Sequence, residues 1–259
     1  MTAAGVLTDT VLTDLEAGRV RAAWPDDSAA DGWRIDQAVK QAILGCFADR
    51  TTTDWSVGPF QFRDRAAFPP RALADGPWRI VPGGTSVRAG AHLEADVVVM
   101  PPSYVNVGAW IGAGTMVDSH VLVGSCAQVG ERVHLSAGAL IGGVLEPSGA
   151  RPVIVEDDAF IGAGSVLLDG VLVGRRAVVA AGVTLMGTSR LFDLVGERVI
   201  EGTMAEPLVV PAGAVVIPGT RTLDGAFARH YGLAASTAVI VKTRDEGTDA
   251  RVALEGALR

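Results

Sequence analysis

Cysteine, aromatic side chains and positive charge are all scarce in this chain of 259 residues. Two cysteines, Cys46 and Cys126, cannot build a disulfide framework. That excludes the small stapled scaffolds of secreted proteins and fits a reducing, cytoplasmic setting. Lys and Arg number 22 against 29 acidic residues, a net charge of −7, which argues against a nucleic-acid partner or an anionic membrane surface. No basic segment followed by an apolar one opens the chain, so no signal peptide is expected. Val97 to Val117 holds 21 residues without a charge, yet Pro101, Pro102, Asn106, Gly108, Gly112 and Gly114 interrupt it. A lipid-spanning helix of about 20 residues does not carry such a load, so a membrane span is rejected.

What the chain has in quantity is glycine, 32 residues, and a repeat. From Val81 an aliphatic residue returns at every sixth position: Val81, Val87, Leu93, Val99, Val105, Ile111, Val117, Val123, Val129, Leu135 and Ile141. The series breaks across "GGVLEPSGARPVI" and restarts at Val155, Ile161, Leu167, Val173, Val179, Leu185 and Leu191, with Val210 and Val216 beyond. A six-residue stride scatters side chains around an α-helix, whereas hexapeptide periods mark parallel β-helices whose inward residues stack from coil to coil. Gly112, Gly124, Gly130, Gly142, Gly162 and Gly174 follow the aliphatics, where glycine relieves crowding and permits positive φ. A valine-rich sandwich is the competing architecture.

The expected fold is mostly β, a column over 79–221 with excursion loops at 143–154 and 192–209. An N-terminal helical domain (1–78) and a C-terminal strand and helix cap (222–259) are expected to cover its ends. In the head, "DTVLTDLEAG" predicts a helix ending at Gly18. A second helix puts Ile35, Val39, Ile43, Cys46 and Phe47 on one face, with Asp36 in its first turn. "FPPRALADGPW" reads as a connector, "TAVIVK" as a strand and "DARVALEGALR" as a helix beginning near Asp249.

"MPPSYVNVGAWIGAGTMVDSHVLVGSCAQVGERVHLSAGALIGGVLEP" resembles the signature region of the tetrahydrodipicolinate N-succinyltransferases. "IVEDDAFIGAGSV", "GTSRLFD", "VPAGAVVIPG", "AVIVK" and the helical "IDQAVKQAILGCF" extend the similarity from about Arg34 to the C-terminus. The resemblance implies a left-handed column, a homotrimer with active sites between neighbours, and succinyl-CoA or another acyl-CoA as co-substrate, without a metal. The acceptor it implies is the amine of a ring-opened dicarboxylate in lysine and diaminopimelate synthesis.

An ammonium cannot attack a thioester, so a base must hold its proton, and Asp118 matches the family's active-site aspartate in "MVD". Asp118 follows the inward Val117 and therefore points outward, toward a neighbouring column. Arg79 in "WRIVPG" and Arg190 in "TSRLFD" match positions that would fork onto substrate carboxylates. Gly142 and Gly143 are candidates to meet the thioester oxyanion through backbone N–H groups. Ala180, Ala181 and Gly182 would line the pantetheine arm, with Arg221 and Lys242 available for coenzyme phosphates.

Val166 and Gly164 stand where the succinyltransferases carry a glutamate and an arginine, and the segment is similar to the related N-acetyltransferases, which lack that glutamate too. This departure opens acetyl transfer, or acylation of a related amino acid in a specialised antibiotic or toxin pathway, as alternatives. A zinc carbonic anhydrase would need three histidines in register, and His120 and His134 occupy different hexapeptide positions. His120 itself reads as a surface histidine. A non-catalytic scaffold is the last alternative.

Overall fold

The computed structural model describes residues 3–252. Its centre is a three-faced column of two-residue parallel strands, in which the second residue of each strand points inward. The first face ends its strands on Val87, Val105, Val123, Ile141, Leu167 and Leu185; the second on Leu93, Ile111, Val129, Val155, Val173 and Val210. The third face carries Val99, Val117, Leu135, Ile161, Val179 and Val216. From Val105 to Leu191 every residue of the six-residue series is fully buried. Full burial of such a side chain is worth about 1.5–3 kcal/mol, so the stacked series is the core. Leu135→Ala is expected to cost about 2–5 kcal/mol in urea unfolding, because flanking coils cannot collapse into the gap without breaking their ladders.

The first coil departs from the expected series. Ile80, not Val81, pairs with Val99, because one extra residue is taken up around Gly83 and Gly84. The glycines also divide into two classes. Those that follow the aliphatics, such as Gly112, lack positive φ; a Cβ on Gly112 would stand 2.5 Å from the Gly130 backbone of the next coil. Positive φ falls two residues later, at Gly114, Gly138, Gly164 and Gly182, and is also borne by His120 and Cys126.

Both excursions are real departures with a different form from that expected. Between Ile141 and Ile154 the chain leaves at a single corner, since Gln128 and Val129 pair directly with Ile154 and Val155 in the next coil. The second begins as a β-hairpin, Arg190–Asp193 against Arg198–Glu201, rather than an irregular loop.

The head contains α1 (Ala3–Glu16) and α2 (Gln37–Ala48), with Asp36 as the N-cap whose Oδ1 accepts from the Val39 N–H at 3.1 Å. It also holds two short antiparallel ribbons that the periodicity did not predict, Ala23–Pro25 with Trp33–Ile35 and Thr52–Asp54 with Arg63–Arg65. Ile35 thus belongs to a strand and not to the helix. The helices do not cover the column's end. Val11, Leu15, Val39, Ile43 and Cys46 pack on Ala89, Val107 and Cys126, which line the first-to-second corner over three coils. Leu73 and Trp78 of the connector pack against the column core instead.

At the other end the strand Ala214–Thr222 leaves the column and pairs with Ala234–Thr243, crossing the expected boundary at 221. The α3 helix (Ala226–Tyr231) joins them, and α4 (Glu246–Val252) starts earlier than Asp249. The rest of the expected final helix lies outside the described residues. Among the described residues no helix is long and apolar enough to cross a membrane.

Candidate active site

The three corners of the column differ in charge. The second-to-third corner carries Glu94, Asp96, Glu131, Arg132, Glu156, Asp157, Asp158, Arg175 and Arg176, a solvated edge laced by pairs such as Arg132 to Asp158 at 2.8 Å. The third-to-first corner has one carboxylate, Asp118, among proline, glycine, alanine and serine. Outward positions beside it are largely apolar on both faces: Tyr104, Leu122, Leu140 and Val166 on the first, Met116, Phe160 and Val178, with His134 among them, on the third. Largely apolar rows flanking an edge with a single charge suit a surface covered by another chain.

Asp118 is held by its own turn. Its N–H donates to Leu135 O at 2.9 Å and its carbonyl accepts from Ser103 Oγ at 2.8 Å. Oδ1 accepts from the Ser119 N–H at 2.7 Å, while Oδ2 has no hydrogen bond among the described residues. The side chain is half-buried, so one carboxylate oxygen is fixed and the other faces the corner.

Ala180, Ala181 and Gly182 turn the same corner three coils further on, about 14 Å along the axis at the usual strand spacing. There a cleft of about 500 Å³ opens between the column and the C-terminal hairpin. It brings together Gly182, Arg190 and Arg221, with Thr184, Ser189 and Thr237 as neutral hydrogen-bonding groups. Arg190 is paired with Glu201 at 2.7 Å. Arg221 has no ion pair among the described residues, which makes it the uncompensated cation of the cleft.

Other expected residues stand apart. Lys242 is off this cleft, its Nζ bonded to Asp245 at 2.8 Å, and that contact holds the Asp245 carboxyl well below the usual range. Arg79 is exposed in the first strand of the third face, two coils from Val117. Gly142 and Gly143 lie on the first-to-second corner. The Gly142 N–H donates to Leu167 O at 2.8 Å, so the ladder consumes it and it cannot serve an oxyanion. The Gly143 N–H has no bond among the described residues. Val166 sits in the outward apolar row between Leu140 and Thr184, and Gly164 turns the Asp118 corner with φ of 66°.

The histidines are scattered. His92 stacks on Trp110 at 3.9 Å, His134 on Phe160 at 4.9 Å, His120 is exposed on the Asp118 corner, and His230 is in α3. Among the described residues no three metal-ligating side chains cluster.

Three buried cations, Arg21, Lys40 and Arg151, escaped the sequence reading, and the last two brace the excursions. Lys40, fully buried in α2, donates to Ala150 O at 2.8 Å, and burial pushes its ammonium below the usual range. Arg151 donates to Gly170 O and Pro207 O at 2.7 Å each and pairs with Asp31 at 2.6 Å. Together they tie the first excursion to the head and to the second excursion. Nothing in a hexapeptide pattern marks either residue.

Parallel hexapeptide coils with one carboxylate on an uncharged edge define the scaffold of a hexapeptide-repeat transferase. A family model described as the hexapeptide repeat of succinyl-transferase matches residues 152–186. Relatives named 2,3,4,5-tetrahydropyridine-2,6-dicarboxylate N-succinyltransferase match over nearly the whole chain. That of Idiomarina loihiensis is 40% identical over 96% of this chain and 87% of its own length. That of Bradyrhizobium diazoefficiens is 40% identical over 97% and 88%, and that of Polynucleobacter asymbioticus 41% over 96% and 87%. The chain belongs to the tetrahydropyridine-dicarboxylate N-succinyltransferase family.

Proposed function

We propose that this protein transfers the succinyl group of succinyl-CoA to the amine of ring-opened tetrahydrodipicolinate, in grooves between the columns of a cytoplasmic homotrimer of left-handed β-helices. The observation that carries the reading is Asp118, the single carboxylate of a corner built mostly of small residues and flanked by largely apolar rows. The names of the relatives favour succinyl over acetyl transfer.

In the reaction the ammonium first loses one proton to solvent. The neutral amine nitrogen then forms a bond to the thioester carbon as the C–S bond breaks, and the second proton shed by nitrogen passes by way of the carboxylate to the departing thiolate. Asp118 Oδ2 orients the amine and accepts its proton as N–C bond formation makes that proton acidic. A substrate carboxylate is taken by Arg79, two coils from the Asp118 level, through a charge-assisted fork. Arg190, bonded to Glu201 in the cleft with Arg221 and about five coils from Arg79, stands too far along the axis to share that substrate. Gly143, on the first-to-second corner, stands off this edge, and the Ala180–Gly182 corner admits the pantetheine arm because its side chains are small. Arg221 receives a coenzyme phosphate, while Lys242, already neutralised by Asp245, contributes less.

Steady-state thiol release with succinyl-CoA and tetrahydrodipicolinate tests the reading, with turnover expected and acetyl-CoA far poorer. No turnover with either thioester would overturn it. Arg221→Ala is expected to raise KM for succinyl-CoA by about tenfold with kcat little changed, as for loss of one exposed phosphate contact. An unchanged KM would remove Arg221 from the coenzyme site.

A further inference from the structure

A second cleft, of about 330 Å³, lies on the second-to-third corner beneath the edge of the head, away from Asp118. Its floor is Arg21, which is only 9% exposed. The guanidinium carbon lies 4.2 Å from the Trp110 ring centroid and 5.2 Å from that of Trp33. Nε donates to Oε1 of the fully buried Gln128, whose amide is in turn anchored on Cys126 O at 2.8 Å. Both terminal Nη groups have no hydrogen bond or ion pair among the described residues. Burial pushes this guanidinium down to about 10, with Glu94 and Asp157 pulling it back up. A cation is therefore stacked between two indoles with its planar fork unspent, which is the donor set that matches a carboxylate.

The rim has the opposite charge. Glu156 and Asp157 are spent on Trp33 Nε1 at 3.0 Å and on Arg175 at 2.8 Å. Glu94 gives one oxygen to the Ala113 N–H at 2.8 Å and keeps the other, and Asp27 has no partner among the described residues. A simple anion would be repelled by this rim, and a simple cation would meet Arg21. A ligand with a carboxylate and an α-ammonium at one end and a second ammonium at the other satisfies both. The faces of Trp110 are taken by Arg21 and His92, so the methylene chain between the charged ends lies along its edge and beside Trp33.

We propose that this cleft binds a basic amino acid, its carboxylate on the Nη fork of Arg21 and its ammonium groups against Asp27 and Glu94. The site is separate from the acyl-transfer groove and would let such a ligand tie the head ribbon to the column.

Calorimetry and tryptophan fluorescence on the full chain, with L-lysine as the probe, test this. One saturable site per chain is expected, with hexanoate, which lacks both ammonium groups, and pentane-1,5-diamine, which lacks the carboxylate, each at least about tenfold weaker. Arg21→Gln and Glu94→Gln should each weaken lysine by about tenfold or more. Glu94 is on the rim, and glutamine can still accept from the Ala113 N–H, so that variant tests the site even if loss of Arg21 unseats the head. No saturation by about 10 mM lysine would overturn the proposal, leaving Arg21 as a clamp between head and column. Equal binding of the diamine, or unchanged lysine affinity in Glu94→Gln, would overturn it as well.

Discussion

Replacing Asp118 with asparagine is expected to lower kcat by about two to four orders of magnitude while leaving the fold and assembly intact. The variant isolates the chemistry because the amide oxygen can still accept from the Ser119 N–H, as Oδ1 does at 2.7 Å. The turn, the Ser103 contact to the carbonyl and the ladder bond to Leu135 do not involve the exchanged atom. What changes is Oδ2, where an NH2 replaces an oxygen that has no partner among the described residues. An amide presents a donor to the donor of the incoming amine and cannot take its proton. KM for the thioester should move little, since the cleft at Arg221 is several coils away. Thiol-release kinetics check the prediction, with sedimentation as the control. Activity within about threefold of the parent would show that Asp118 is a solvated surface acid, because an effect below about 0.7 kcal/mol is no catalytic term.

The second large effect is expected from Leu140→Glu. Leu140 points outward on the first face, half-buried in the row between Leu122 and Val166, while the core position beside it, Ile141, is fully buried. The substitution leaves the inner stack untouched, so far-UV circular dichroism should be unchanged. In the proposed trimer it places a carboxylate in each of three equivalent interfaces without a partner, at several kcal/mol apiece. Sedimentation should then give a folded monomer, and acyl transfer should fall to background because each groove lacks its second wall. An active monomer would refute the shared groove, and an unchanged trimer would show that this row is not the interface.

The column was legible in the sequence because burial imposes a rule on every sixth residue, and a run such as Val105 to Ile141 has no other physical origin. The slip at Ile80 was not legible, since Ile80 and Val81 are both aliphatic and only the pairing with Val99 separates them. The head was misread for a related reason. Its ribbon at Ala23–Pro25 is three residues long and is held by contacts distant in sequence, Arg21 to Gln128 and Trp33 to Glu156, which leave no periodic trace. Asp118 stood out as the single charge in a neutral stretch. Gly142 misled because residue type does not reveal whether an N–H is already committed to a neighbouring coil. Arg190 and Arg221 were named separately, and only the fold of the C-terminal hairpin puts both beside Gly182.

Acyl transfer along the edge that carries Asp118 requires coenzyme to lie there, and a crystal structure with CoA bound shows whether it does. The sulfur is expected to point toward Asp118 across a groove between two copies, with pantetheine along Ala180–Gly182 and a phosphate at Arg221. Coenzyme seated on the second-to-third edge, or on a lone column with Asp118 facing open solvent, would contradict the account.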